Sequence, residues 1–184
     1  MDTIARRRGL TRVVLTGSES TGKTTLAERL ATYYDAVLIH EFVRRYAEEK
    51  GAPLGFGDHG PIARGQMALE DEGIAGATGL VVQDTDMLST VVYCNHYFGR
   101  CPPWIEETAS ERRPDLYLLC DIDIPWIADG IRDRGEQRDE MRELFRATVM
   151  SSGVPVAGIH GDGDERFQRA VDAIDELLLI QPPK

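Results

Sequence analysis

An α/β fold built on a parallel sheet is what this sequence predicts, and three observations predict it. Short apolar runs alternate with longer segments of helical periodicity along all 184 residues. The runs are continuous rather than alternating, as expected of strands buried on both faces. The first run leads directly into GSESTGKT (17–24), a glycine loop followed by a helix. That loop fits G-x-x-x-x-G-K-[ST] through Gly17, Gly22, Lys23 and Thr24, and its strand–loop–helix setting distinguishes it from a chance turn. Together these predict a P-loop NTPase three-layer fold with a five-stranded parallel sheet.

The elements follow in order. RVVLT (12–16) is the first strand. In KTTLAERLATYY (23–34), Leu26, Leu30 and Tyr33 or Tyr34 recur at helical spacing. The second strand is AVLIH (36–40), before a helix over 42–50. A glycine- and proline-rich connector (51–61) leads to a helix over 62–76. GLVVQD (79–84) is the third strand, with a helix over 87–98 behind it. A short helix over 102–110 is opened by proline. DLYLLCDI (115–122) is the fourth strand, and an Arg/Asp-rich stretch (125–139) follows. A helix over 140–152, a last strand over 154–160 and a helix over 164–179 complete the chain. Residues 1–11 read as a flexible polar tail and 12–184 as a single domain, with a lid at 126–139.

Composition narrows the function classes. With 42% hydrophobic and 28% charged residues the chain is globular in character. Its net charge of −10 opposes non-specific nucleic-acid binding, so no nucleic-acid partner is expected. No apolar run is long enough to span a bilayer, so no membrane partner is expected either. Cys94, Cys101 and Cys120 form an odd set without framework spacing, which suits a reducing, cytoplasmic setting. Cys94 is expected on a packed helix face and Cys120 inside a strand. The one asparagine, Asn95, stands in CNHY, so the N-K-x-D motif of guanine-specific switches is missing.

Ligands of open parallel sheets bind at the carboxyl ends of the strands, and that rule turns sequence positions into a site. The first strand supplies the loop Gly17, Ser18, Glu19, Ser20, Thr21, Gly22, whose N–H groups face phosphate oxygens. Lys23 reaches the β- and γ-phosphates, and Thr24 and Thr25 open the helix behind it. The Thr24 hydroxyl is also a Mg²⁺ ligand. The second strand ends in His40 and Glu41, with Arg44 and Arg45 on the next helical turn. The third ends in Asp84-Thr85-Asp86. Such a set suits Mg²⁺-assisted phosphoryl transfer from ATP to a hydroxyl.

Asp84 is assigned to the Mg²⁺ shell. Glu41, facing the γ-phosphate if the second strand lies beside the first with a gap between, is a candidate to take the acceptor's proton. Glu41, Asp84 and Asp86 all remain candidates for the base. Asp86 either touches substrate or caps the helix at Met87. Arg44 or Arg45 steadies the phosphoryl group, or forms an i, i+4 ion pair on a solvated face. In 126–139, Arg132, Arg134 and Arg138 suit a lid that closes on the triphosphate; Trp126 opens that stretch as a substrate contact. GDGDERF (161–167) is either the loop beneath an adenine ring or an ordinary turn.

GSESTGKTTLAERLA, HEFVRRY, QMALE, QDTDMLST, CNHYFG and DIDIPWIADGIR, in that order from Arg12 to Arg132, resemble the ribosylnicotinamide kinase domain of NadR-type proteins. The resemblance implies a nucleoside-kinase-like fold and phosphorylation of nicotinamide riboside by ATP with Mg²⁺. It also implies that Lys23 and Thr24 hold ATP and metal and that Arg132 belongs to the lid. Two departures stand out. NadR-type proteins carry further domains, whereas this chain reads as a kinase alone. Where that family tends to have an aromatic residue before the strand-2 glutamate, this chain has His40, and the helix 62–76 has no aromatic residue. The acceptor is accordingly nicotinamide riboside, or another nucleoside or small alcohol. A regulatory ATP-binding role without an acceptor is the remaining alternative.

Overall fold

A computed structural model describes residues 9–124 and 138–180. Five strands form one wholly parallel sheet: β1 (Leu10–Thr16), β2 (Val37–Ile39), β3 (Gly79–Asp84), β4 (Leu116–Cys120) and β5 (Val156–Ile159). Their order is β2-β3-β1-β4-β5. β3 therefore stands between β1 and β2, where the sequence suggested a gap. The central position of β1 shows in its burial: Thr11 to Thr16 are all buried, and Val13, Val14 and Leu15 are inaccessible.

The helices are α1 (Lys23–Tyr34), α2 (Phe42–Lys50), α3 (His59–Gly76), α4 (Met87–Phe98), α5 (Pro103–Glu111), α6 (Arg138–Ser151) and α7 (Gly163–Ile180). Successive residues of a strand point to opposite faces, and this splits the core in two. Val13, Leu15, Val82, Leu118 and Cys120 pack against Leu26 and Leu30 of α1 and Ile174 of α7. Val14 and Tyr117 face the other way, against Val92 of α4 and Phe145 of α6. Helices on both faces of the sheet give the expected three layers. Cys94 and Cys120 are buried, as their sequence settings suggested.

Boundaries differ where side chains intervene. β2 spans three residues instead of five, at the sheet edge. The connector 51–61 is shorter than its glycines and prolines imply, because a 3₁₀ turn (Phe56–Asp58) runs into α3. Asp58 holds it together. Its carboxylate accepts from the Gly55 N–H (2.6 Å), from Lys50 Nζ (2.5 Å) and from the Tyr46 hydroxyl (2.8 Å). The Lys50 bond is the chief reason the Asp58 pKa falls to about 2.

Candidate active site

The phosphate loop turns sharply off β1. Gly17 has φ +134°, and a Cβ there would stand 2.6 Å from the Cys120 carbonyl oxygen, so only glycine lets the loop cross the end of β4. Inside the loop, Thr21 Oγ1 donates to the Ser18 carbonyl (2.8 Å). Lys23 Nζ also donates to that carbonyl (2.6 Å) and lies 3.4 Å from Thr21 Oγ1. The ammonium is thus held among the loop's own oxygens. Ser20, at φ 53°, adds a second left-handed turn within the curl.

The third strand brings the acid that the sequence assigned to metal. Thr24 Oγ1 donates to Asp84 Oδ2 at 2.6 Å. Asp84 is 2% exposed, and burial raises its pKa; Glu41 acts in the same direction, while Lys23, the Thr24 bond and Arg44 oppose it. Asp84 is thus bonded by Thr24 and lies within the fields of Lys23, Glu41 and Arg44. Ser18 Oγ, Asp84 Oδ1 and Arg138 Nε are buried without a hydrogen-bond partner among the described residues. Buried polar atoms are normally satisfied, and these three lie in or against the phosphate loop. Hard oxygen donors, a hydroxyl beside a carboxylate, suit Mg²⁺, which takes few protein ligands. Thr24 and Asp84 fit that ion.

The two arginines of α2 separate. Arg45 pairs with Glu49 (3.8 Å, i, i+4) and stands over the Phe42 ring at 4.8 Å, on the exposed face. Arg44 is the one whose charge reaches Asp84. His40 is exposed at the end of β2, and Thr25 is exposed in the first turn of α1. Arg138 Nη2 lies 3.4 Å from the Ser20 carbonyl and 3.3 Å from that of Ile124. Trp126, Arg132, Arg134 and most of the expected lid lie outside the described residues.

Asp86 takes the capping alternative. Its Oδ1 accepts from the Leu88 N–H (3.1 Å) at the start of α4, and its Oδ2 accepts from the Tyr117 hydroxyl (2.6 Å). Between the two acids, Thr85 is held at φ 70°, a strained value for a β-branched residue. Its N–H donates to the Leu15 carbonyl (3.0 Å), and its carbonyl accepts from Gln83 Nε2 (2.9 Å).

Sequence reasoning missed Arg166. Only 5% exposed, it donates to the carbonyls of Thr21 (2.9 Å), Asp121 (2.6 Å) and Gly161 (3.0 Å), and to Asp123 Oδ1 (2.6 Å). It braces the phosphate loop against the ends of β4 and β5. The stretch 161–167 thus contributes a loop brace, which neither expectation for it contained. A second omission is the set of buried Arg12, Glu70 and Gln83 with half-buried Arg112. Gln83 Nε2 donates to Glu70 Oε1 (2.7 Å), Arg112 Nε to Glu70 Oε2 (2.8 Å) and Arg12 Nη2 to Gln83 Oε1 (3.0 Å). Charged residues interrupting apolar β1 and α3 were the available signal.

The fold and this site define a P-loop nucleotide-binding protein of kinase architecture. The chain belongs to the AAA domain family, which matches residues 12–166. It is similar to the trifunctional NAD biosynthesis/regulator protein NadR of Escherichia coli (strain K12), 30% identical over 173 residues. That match covers 90% of this chain and 42% of the relative, so the chain spans less than half of that protein. Crystal structures of NadR protein, one in complex with NR and one with NAD and AMP-PNP, align with TM-scores of 0.82 and 0.80 at 30% and 29% identity. They cover 92% of this chain, and 52% and 49% of theirs. A thymidylate kinase from Ehrlichia chaffeensis shares the fold over 92% of this chain and 99% of its own, with a TM-score of 0.67 at 18% identity. Among the described residues no helix is long and apolar enough to cross a membrane.

Proposed function

We propose that this chain is an ATP-dependent kinase that transfers the γ-phosphoryl group to a hydroxyl of nicotinamide riboside, giving the mononucleotide. The observation that carries the reading is the phosphate loop closed around Lys23, with Thr24 bonded to buried Asp84 at the end of the neighbouring strand. The similarity to NadR structures with NR and with AMP-PNP supports acceptor and donor respectively.

The roles follow from the chemistry of each group. Loop N–H groups and Lys23 bind the triphosphate and hold its terminal phosphoryl group in place. Thr24 and Asp84 would hold Mg²⁺, which would supply positive charge to offset the negative charge developing on the phosphates during transfer. Glu41 accepts the proton of the acceptor hydroxyl as that oxygen bonds to phosphorus. Arg44 and Arg138 offset charge on the transferred group. Trp126 and Arg132 complete the substrate and lid contacts in this reading.

Another nucleoside is the second reading, favoured by exposed His40 at the position where a stacking aromatic suits nicotinamide. The Glu41→Gln variant tests the proton acceptor. Its kcat should fall on the order of 10²- to 10⁴-fold with ATP affinity nearly unchanged; equal turnover would remove Glu41 from the mechanism.

A further inference from the structure

The polar residues on the inner face of α3 have no part in the scheme above, yet two of them are wholly enclosed. Gln66 is 3% exposed and Glu70 inaccessible, one helical turn apart. An unpaired buried amide costs about 1–3 kcal/mol, so a glutamine at this depth needs partners. It has two, on the two chain turns that carry the candidate catalytic acids.

Gln66 Oε1 accepts from the Phe42 N–H at 2.9 Å, and Gln66 Nε2 lies 3.5 Å from the Thr85 carbonyl. Phe42 follows Glu41, and Thr85 follows Asp84. An amide oxygen on an N–H and an amide nitrogen on a carbonyl is the one orientation that satisfies both ends. The approach is close throughout. A Cβ on Gly65 would meet the Phe42 ring at 2.2 Å, so the start of α2 lies flat against α3 at this point.

The Phe42 N–H is the first of the donors that a helix leaves without an internal partner. An N-cap side chain ordinarily accepts from the second or third N–H of its helix, so this first one needs an acceptor from elsewhere. Here the N-cap is Glu41, at φ −69° and ψ 123°, and its side chain makes no capping bond. Its charge is instead felt at Asp84, across the end of the sheet.

We propose that Gln66 is a positioning residue: it holds the first N–H of α2 from a neighbouring helix and so fixes the backbone from which the Glu41 carboxylate reaches the acceptor hydroxyl. The proposal rests on the reading of Glu41 as the proton acceptor. The weaker link to Thr85 ties the same glutamine to the turn that aims Asp84, so one side chain sets the spacing of the two acids. Its sequence position, inside QMALE of a helix, gives no hint of this, because Phe42 is 24 residues away.

The cap is tested first in the unaltered protein, by hydrogen exchange at the Phe42 amide. Exchange slower than that of an unprotected amide is expected, and exchange at the unprotected rate would overturn the cap. The positioning role is tested by a double-mutant cycle with Gln66→Met and Glu41→Gln, assayed with ATP, Mg²⁺ and nicotinamide riboside. Gln66→Met should leave the KM for ATP nearly unchanged and lower kcat on the order of 10²-fold, the scale of a displaced reacting group. If Gln66 acts through Glu41, the double variant should be little slower than Glu41→Gln alone. Losses that multiply would overturn the positioning role while leaving Glu41 as the base. An unchanged kcat in Glu41→Gln alone would instead sink the base reading itself, and the proposal with it.

Discussion

Replacing Asp86 with asparagine should stabilise the protein at neutral pH. Asp86 is 4% exposed, and burial lifts its pKa from 3.8 to about 6. Glu70 pushes the same way, while the Tyr117 hydroxyl bond, Arg12 and the Ser89 backbone oppose it. Below about pH 4 the folded and unfolded chains both hold the proton. Between there and about pH 6 the folded chain keeps a proton that the unfolded chain has released. The stability associated with that proton is therefore present at low pH and lost as pH rises through this window. At 1.36 kcal/mol per pH unit, a gap of about two units amounts to about 3 kcal/mol.

Asparagine does not titrate, and its oxygen can still accept from the Leu88 N–H while its amide donates to Tyr117. The assay is urea unfolding of both proteins at pH 4.5, 5.5 and 7, so that all other groups cancel in the difference. Asp86→Asn is expected to draw ahead of the native protein as pH rises, by up to about 3 kcal/mol at pH 7. Catalysis should persist, since both Asp86 oxygens are occupied within the fold. Parallel pH profiles, or a variant weaker at every pH, would refute the reasoning.

Other consequences follow from the brace and the loop. Arg166→Met leaves the carbonyls of Thr21 and Asp121 and the Asp123 carboxylate without their shared donor. A loss of about 3–5 kcal/mol is expected by urea unfolding, with weakened ATP binding measured by calorimetry; near-native values for both would dismiss the brace. Gly17→Ala sets a methyl 2.6 Å from the Cys120 carbonyl at φ +134°. ATP binding should be lost while far-UV circular dichroism keeps its native helix signal, and an alanine variant that binds ATP normally would contradict the geometry.

What the sequence made legible was local. The phosphate loop is a contiguous pattern, and its position after an apolar run sufficed to place β1, α1 and the sheet. Asp84 was readable for the same reason, standing where a buried strand ends. Long-range partnerships were not readable. Arg166 looks like one more charge in an amphipathic helix, and its partner Thr21 is 145 residues away. Asp86 gave equal grounds for a substrate contact and a helix cap, because only the fold brings Tyr117 to its second oxygen. Arg44 and Arg45 sit side by side in sequence, and only the fold brings the charge of one to bear on Asp84 while the other pairs with Glu49. The gap supposed between β1 and β2 is filled by β3, since strand order is set by packing rather than by strand composition.

The most direct measurement is ATP-to-ADP conversion with Mg²⁺, with and without nicotinamide riboside, the product being identified by mass. ADP formation that depends on nicotinamide riboside, with one phosphoryl group added to it, is the expected result. ADP formed equally fast without any acceptor, or ATP bound and never transferred, would contradict the proposed reaction.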